Sequence, residues 1–193
     1  MPAYPVPFVV EQTPRGERVS DVFSRLLTER IVFLAGPITD AMSNVIIAQL
    51  LLLQQQDSKK EIKMYINSPG GSAYAAFAIY DTMQQLSNPI STIAVGVAAS
   101  AATMILASGT PGSRSALAHT LVHMHQPLGE AGGQASDIEI TAKEILRLKS
   151  LYAETLAKHA QKTKSKVLHD IDRDVNMTPE EAKRYGLIDK IIK

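Results

Sequence analysis

The chain has 193 residues, of which 45% are hydrophobic, and this length and composition suit one domain with a sizeable apolar core. Lysine and arginine total 20 against 19 aspartates and glutamates, so the net charge of +1 points to no nucleic-acid or anionic-membrane partner. The absence of cysteine excludes disulfides and thiolate chemistry, and it fits a reducing compartment.

The first 20 residues carry four prolines around an apolar patch at residues 8–10. Proline fixes φ and lacks a backbone N–H, so this composition predicts an extended arm rather than a core element. No secretory signal follows Met1, and the most apolar stretch, residues 93–107, is shorter than the roughly 18 residues that a membrane span needs. We therefore expect a cytoplasmic protein with no membrane partner.

Short β-branched runs alternate with helical patterns in the first half of the chain. The predicted strand and helix pairs are, in chain order, 31–34 with 45–53, 61–67 with 73–86, and 90–95 with 101–107. Because strands and helices alternate in this way in sheets with parallel strands, the pattern predicts an α/β fold.

The second half of the chain is predicted to contain a long helix. A strand at 121–125 and a Gly-rich stretch at 129–134 precede it, and the helix runs from Ser136 to about His159. Apolar positions at seven-residue spacing give this helix one apolar face, which needs a partner surface. Further on, Thr178-Pro179-Glu180-Glu181 predicts a capped helix start, and residues 187–192 predict an edge strand.

Ser100 lies among small residues where an apolar strand gives way to a helical pattern. Because a helix N-terminus offers free N–H groups that stabilise an oxyanion, Ser100 is a candidate nucleophile. A serine that merely caps a buried helix is the more frequent explanation of such a segment. Upstream, Ser68-Pro69-Gly70-Gly71 predicts either an outward-pointing oxyanion donor or an ordinary turn. A phosphate-binding loop ranks below both, because neither GxGxxG spacing nor a lysine is present.

His125 ends a predicted strand, so its side chain can project into a cleft as a general base. His123 lies two residues earlier on the same side of the strand, and a His-x-His metal pair is the competing interpretation. No third ligand is evident in the sequence, so we predict no metal. Asp174 belongs to a charged run of the kind that is mostly solvated. The order serine, histidine, aspartate differs from that of GxSxG hydrolases and predicts a different hydrolase scaffold.

Several segments together closely resemble the ClpP family, the self-compartmentalised serine peptidases that form the proteolytic subunit of the Clp protease. The resemblance covers nearly the whole chain. Its segments are VVEQ at 9–12, RGER at 15–18, YINSPGG at 65–71, IYDTM at 79–83, AAS at 98–100, HQPLG at 125–129 and YGLID at 185–189. It implies a crotonase-like α/β spiral with an axial arm at 1–20 and a single peptidase domain at 21–193, in which a handle spans about 126–160.

The resemblance also implies the site residues: a catalytic triad of Ser100, His125 and Asp174, and an oxyanion hole made by the backbone N–H groups of Gly71 and Ala101. Many relatives have methionine where Ala101 stands, but only the backbone N–H is needed. The competing enzyme class is a crotonase-fold acyl-thioester enzyme, which shares the two-amide oxyanion hole but needs no triad.

The resemblance further implies two heptameric rings stacked as a tetradecamer, with Asp172 and Arg173 pairing across the contact between rings. A separate AAA+ unfoldase hydrolyses ATP and delivers unfolded proteins. No cofactor is therefore expected for this chain, and no nucleotide-binding loop occurs in it.

Four residues are expected at the surface that receives the unfoldase: Lys63, Tyr65, Gln85 and Ile192. Lys63 and Gln85 stand where relatives often place aromatic residues, which predicts weak docking and a paralogous ring that supplies it. A catalytically minor, structural ring subunit is the alternative function from a non-enzymatic class.

Overall fold

The structure is a computed structural model that describes residues 5–14 and 16–193. Its strands form a two-stranded hairpin and a seven-stranded sheet. In chain order the elements are β1 (Phe8–Thr13), β2 (Gly16–Asp21), α1 (Val22–Thr28), β3 (Ile31–Ala35), α2 (Asp40–Gln56), β4 (Ile62–Ser68), α3 (Ala73–Gln85), β5 (Ile90–Ala99), α4 (Ala101–Ala107), β6 (Arg114–Leu117), β7 (Leu121–Met124), α5 (Ala135–Ala160), α6 (Lys164–Asp170), β8 (Val175–Met177), α7 (Pro179–Tyr185) and β9 (Lys190–Ile192).

The seven-stranded sheet has the order β3-β4-β5-β6-β9, and β7 and β8 branch from β5. The first half of β5 pairs with β6, and the second half pairs with β7. The two halves meet at Gly96, whose φ of 72° favours glycine. Every pair in this sheet is parallel except β7 with β8. The α/β fold with parallel strands is therefore confirmed.

The N-terminal segment is a β-hairpin rather than the predicted extended arm. β1 and β2 pair antiparallel, and the prolines at 5, 7 and 14 lie outside the paired strands. The β-branched run at Val9 and Val10 favours a strand once a partner strand is available. Phe8 and Val10 nevertheless stay exposed, so the hairpin leaves its apolar patch uncovered. Residues 1–4 and 15 of the predicted arm lie outside the described residues.

The centre of the molecule is α4, in which every residue is buried. It packs against β5, α3 and α5, and its small side chains allow the surrounding elements to approach closely. The core continues over the β4 and β5 faces of the sheet, through Met64, Ile66 and Ala94. Within the described residues, no helix is long and apolar enough to cross a membrane.

The long helix α5 is buried along its second half only. Its buried residues begin at Tyr152, so the apolar positions near this end have a partner within the same chain. The first half carries exposed apolar side chains, including Ile138, Ile140 and Leu146. The predicted need for an external partner is therefore limited to the first half of the helix.

A largely buried ion pair links Arg114, at the start of β6, to Asp189, just before β9. Asp189 accepts hydrogen bonds from the Gly112 N–H and from the backbone N–H, Nε and Nη2 of Arg114. The remaining nitrogen, Arg114 Nη1, donates to three backbone carbonyls, those of Ala107, His159 and Gly186. This network joins β6, α4, α5 and β9 at the edge of the sheet opposite to β3.

Candidate active site

The ends of two strands place the predicted triad residues together. β5 and β7 are parallel and pair through their last residues, so Ser100, just after β5, lies beside the end of β7. His125 directly follows β7. β8 is antiparallel to β7 and begins just after Asp174, which brings this residue opposite His125. The fold thus gathers three residues that are far apart in sequence at one end of the strands β5, β7 and β8.

Ser100 occupies a strained turn between β5 and α4, with φ of 54° and ψ of −123°. Positive φ is costly for a residue with a Cβ, and a sharp strand-to-helix turn of this kind is the arrangement of a nucleophile elbow. The sequence does not predict an elbow, because GxSxG spacing is absent, yet the backbone adopts one. Ser100 is the N-cap residue of α4, but its side chain makes no capping hydrogen bond. The interpretation of this serine as a simple helix cap therefore has no support.

Hydrogen bonds on both sides hold this turn. The Ser100 N–H donates to the His123 carbonyl at 2.8 Å, and the Tyr152 hydroxyl donates to the Ser100 carbonyl at 3.0 Å. The Thr103 N–H donates to the same carbonyl at 3.0 Å. Burial raises the pKa of Tyr152, so its hydroxyl keeps the proton that it donates. These bonds hold the strained residue in one conformation.

Gly70 and Gly71 lie against the Ser100 turn and the β3–α2 loop. A Cβ on Gly70 would stand 2.8 Å from Ser100 Cβ, and one on Gly71 would stand 2.3 Å from the Ile38 carbonyl oxygen. Only glycine permits both approaches, and the φ of Gly70 is 90°. Neither the Gly71 N–H nor the Ala101 N–H has a hydrogen-bond acceptor among the described residues. Two free donors therefore flank the serine.

Two histidines share one carboxylate oxygen. His125 Nδ1 lies 3.4 Å from Asp174 Oδ1, and His123 Nε2 lies 3.3 Å from the same atom. The centroids of the two imidazole rings are 5.0 Å apart. The Asp174 side chain is 71% exposed, whereas both histidine side chains are largely covered. Asp174 is thus a third group that could ligate a metal together with the His-x-His pair, and the sequence does not reveal it.

Burial lowers the pKa of His125, and the neighbouring His123 lowers it further, while Asp174 acts in the opposite direction. A lowered pKa keeps the imidazole neutral at pH 7, and the neutral form is the one that accepts a proton. No hydrogen bond joins the side chains of Ser100 and His125 within the described part of the chain, although both residues line one cavity. Catalytic hydrogen bonds are often long without substrate and tighten when it binds.

This cavity has a volume of about 430 Å³. Its lining includes Ser100, His125, Gly71 and Ala101. The rest of the lining is mainly apolar and includes Phe77, Met104, Leu128, Ile145 and Leu148. An apolar pocket with a few convergent polar groups is typical of a ligand-binding site.

The predicted ring-contact residues are exposed and lie outside this cavity. Asp172 has one ion-pair neighbour, Lys149, whose Nζ is 3.8 Å from Asp172 Oδ1. Arg173 forms no ion pair with any described residue, so its guanidinium is available to a partner.

The predicted docking residues are spread over three elements. Lys63 and Tyr65 lie on β4, Gln85 ends α3, and Ile192 ends β9. β5 and β6 separate β4 from β9 in the sheet. Tyr65 stacks on Phe33 with ring centroids 5.5 Å apart, while Lys63 and Gln85 are exposed. One chain therefore does not gather these four residues into a single pocket.

Sequence reasoning misses two contributors to this site. Tyr152 fits the apolar spacing of α5, but nothing in that spacing indicates that its hydroxyl holds Ser100. His123 is visible only as a metal candidate, because its contact with Asp174 depends on the pairing of β7 with β8.

A comparison with known protein families agrees with this geometry. The model of the family described as Clp protease matches residues 14–193, which is nearly the whole chain. The match includes the elbow, both histidines, Asp174 and the long helix. The chain therefore belongs to the Clp protease family, and it has the fold of a ClpP-type peptidase.

Proposed function

We propose that this chain is a serine endopeptidase in which Ser100 is the nucleophile, His125 the general base and Asp174 the group that orients the imidazole. The observation that carries the proposal is the strained backbone of Ser100, whose side chain makes no helix-capping hydrogen bond and which lines the same cavity as His125. His125 Nε2 takes the hydroxyl proton as Ser100 Oγ attacks the peptide carbonyl, and Asp174 accepts a hydrogen bond from Nδ1–H. His125 then returns the proton to the leaving amine.

The free N–H groups of Gly71 and Ala101 support a role as the oxyanion hole. Negative charge develops on the former carbonyl oxygen in the transition state, and two donors that need no rearrangement stabilise it. The mainly apolar lining of the cavity favours a substrate with an apolar side chain next to the cleaved bond. We infer that unfolded polypeptides are the substrates, because the chain belongs to the Clp protease family.

The exposed first half of α5 supports assembly into two stacked heptameric rings, a tetradecamer with the active sites inside. Its apolar side chains find a partner when two such helices meet, and Arg173 finds one across the same contact. An AAA+ unfoldase supplies ATP hydrolysis, so this chain needs no cofactor of its own. The hairpin at residues 8–21, with its exposed Phe8, is placed by this proposal at the axial entrance.

Docking of that unfoldase is proposed to involve Lys63, Tyr65, Gln85 and Ile192, with two adjacent subunits each contributing part of the surface. The polar heads of Lys63 and Gln85 weaken an apolar contact, because burying each without a partner costs about 1 to 3 kcal/mol. Affinity of the ring for its unfoldase before and after Lys63→Tyr with Gln85→Phe measures this effect. Tight binding that does not change would remove the need for a paralogous docking ring.

Fluorophosphonate labelling tests the proposed function directly. The assembled protein should be labelled once per subunit on Ser100, and Ser100→Ala should abolish labelling and lower peptide hydrolysis by at least about a thousandfold. Ser72→Ala is the matched control, because Ser72 lines the same cavity but caps α3 instead. Unlabelled Ser100 in correctly assembled rings would instead support the structural-subunit function.

A further inference from the structure

We propose that His123, His125 and Asp174 form a binding site for a zinc-type divalent cation, and that the bound cation reversibly silences the peptidase. The binding part of this proposal is independent of the proposed function, whereas the silencing part rests on it. His123 has no place in the proposed triad, yet its side chain approaches the triad carboxylate as closely as that of His125 does.

The separations of the Asp174 oxygen from the two imidazole nitrogens fit a shared metal better than they fit hydrogen bonds. Bonds of about 2.0 to 2.1 Å from zinc at a tetrahedral angle place two ligand atoms about 3.3 to 3.4 Å apart. The separations from Asp174 Oδ1 are 3.3 Å to His123 Nε2 and 3.4 Å to His125 Nδ1. A hydrogen bond between nitrogen and oxygen favours about 2.7 to 3.2 Å. One ligand atom from each of the three residues lies within 4.8 Å of the others.

The strands fix the positions of the two histidines, whereas the exposed aspartate can adjust its position. His123 lies within β7, between β5 and β8, and His125 follows directly, so both imidazoles have defined positions. The exposed Asp174 side chain can rotate to adjust its own distances to the two imidazoles, and its exposure leaves a path from solvent. A water molecule completes four-coordination, as in zinc sites with three protein ligands.

The ligand types select the class of cation. Two imidazoles and one carboxylate suit zinc and its neighbours among the transition metals, whereas magnesium and calcium prefer oxygen ligands alone. Both imidazoles bind such a cation in their neutral form.

A cation bound at His125 Nδ1 prevents the imidazole from acting as the general base. In the proposed reaction Nδ1 carries a proton towards Asp174, and Nε2 offers its lone pair to the serine proton. A cation on Nδ1 leaves the single ring proton on Nε2, which then cannot accept another. Asp174 is also withdrawn from its orienting role. No bond to Ser100 changes, so removal of the cation restores activity.

Zinc binding is measured first, by calorimetry on the Ser100→Ala protein, in which all three ligands remain. One Zn²⁺ per subunit should bind, and His123→Gln on this background should weaken binding at least about tenfold. His169→Gln is the matched control, because His169 also lies 3.4 Å from a carboxylate, that of Asp170, but forms no three-residue cluster. Asp174→Asn serves as a second ligand variant, since this exposed side chain is not needed for folding. Equal affinity for zinc in the parent, His123→Gln and Asp174→Asn would overturn the site.

Silencing is measured next, by fluorophosphonate labelling of the parent chain. Zn²⁺ should block labelling, a chelator should restore it, and Mg²⁺ at the same concentration should have no effect. The zinc concentration that halves labelling should rise at least about tenfold in His123→Gln and stay unchanged in His169→Gln. Zinc that binds without affecting labelling would overturn the silencing. A chain that is never labelled but still binds zinc through His123 would instead refute the proposed function and leave the metal site standing.

Discussion

Asp189 and Asp174 both face basic side chains, but the molecule holds the two carboxylates in different ways. Asp189 accepts four hydrogen bonds of 2.6 to 3.0 Å from Gly112 and Arg114, and its side chain is 22% exposed. Asp174 has only two imidazole nitrogens nearby, at 3.3 and 3.4 Å, and is 71% exposed. The first carboxylate is fully satisfied, whereas the second keeps unused lone pairs.

This contrast separates a structural ion pair from the pair to which we assign a function. Burial acts to raise the pKa of Asp189, but the hydrogen bonds from Arg114 and Gly112 outweigh it and hold the pKa below its ordinary value. A carboxylate held in this way stabilises the fold only while its partner is present. Asp174 contributes little to folding, which leaves it free to orient an imidazole or to coordinate a cation.

The largest expected effect comes from Asp174→Asn, and it is an effect on activity alone. Losing the orienting carboxylate should lower kcat/KM for peptide hydrolysis about 10³ to 10⁴-fold. The free energy of unfolding should change by less than about 0.5 kcal/mol, because the side chain is exposed. Glu180→Gln, another exposed carboxylate outside the cavity, is the control for both measurements. Hydrolysis within tenfold of the parent would contradict the orienting role proposed for Asp174 and, with it, the functional difference between the two aspartates.

The second-largest expected effect is on stability rather than on activity, and it comes from Asp189→Asn. Asp189→Asn leaves the Arg114 guanidinium buried without a charged partner, which should lower the free energy of unfolding by about 3 to 5 kcal/mol. Urea unfolding at fixed protein concentration measures it, with the exposed Asp81→Asn as control. The remaining folded protein should still be labelled on Ser100. A loss of stability below about 1 kcal/mol would contradict the role given to this pair.

The smallest expected effect is a pH dependence of the free energy of unfolding, which arises from His159 beside the Arg114 network. Burial, with smaller contributions from Lys158 and Arg114, lowers the pKa of His159 to about 4. The unfolded chain binds this proton near pH 6.5, so stability is full above that pH and falls as the pH drops towards 4. The expected loss over this window is of order 1 to 3 kcal/mol.

His159→Gln should flatten that part of the stability curve, since glutamine does not titrate. His169→Gln should not, because His169 is 86% exposed. Thermal unfolding between pH 4 and pH 7 gives the curves. Identical slopes for the parent and His159→Gln would assign the acid sensitivity to another group.

Local sequence patterns predict the parts of this fold that depend on neighbours in the chain. The alternation of strands and helices gives the α/β class, and the Thr178 capping box with Pro179 begins α7 as predicted. Ser100 and His125 are each predicted at the end of a strand, but only the structure shows that these two strands, β5 and β7, are paired. Short elements such as α1, β6, α6 and β8 escape prediction, because three to seven residues carry little periodicity.

Long-range pairing accounts for the rest of what the sequence does not reveal. Arg114 and Asp189 are 75 residues apart, and no local pattern connects them. The division of β5 between β6 and β7 likewise depends on strands that come later in the chain. The positive φ of Ser100 is imposed by Tyr152 and His123, each of which lies on a different element.

The antiparallel pairing of β8 with β7 has a consequence during protein synthesis. A ribosome completes Ser100 and His125 well before it adds Asp174 and residues 175–177. Until that late strand docks, the imidazole lacks the carboxylate that orients it in the proposed triad. In the proposed mechanism, the serine of a growing chain therefore has no oriented base until Asp174 and the strand that follows it have been added and have docked.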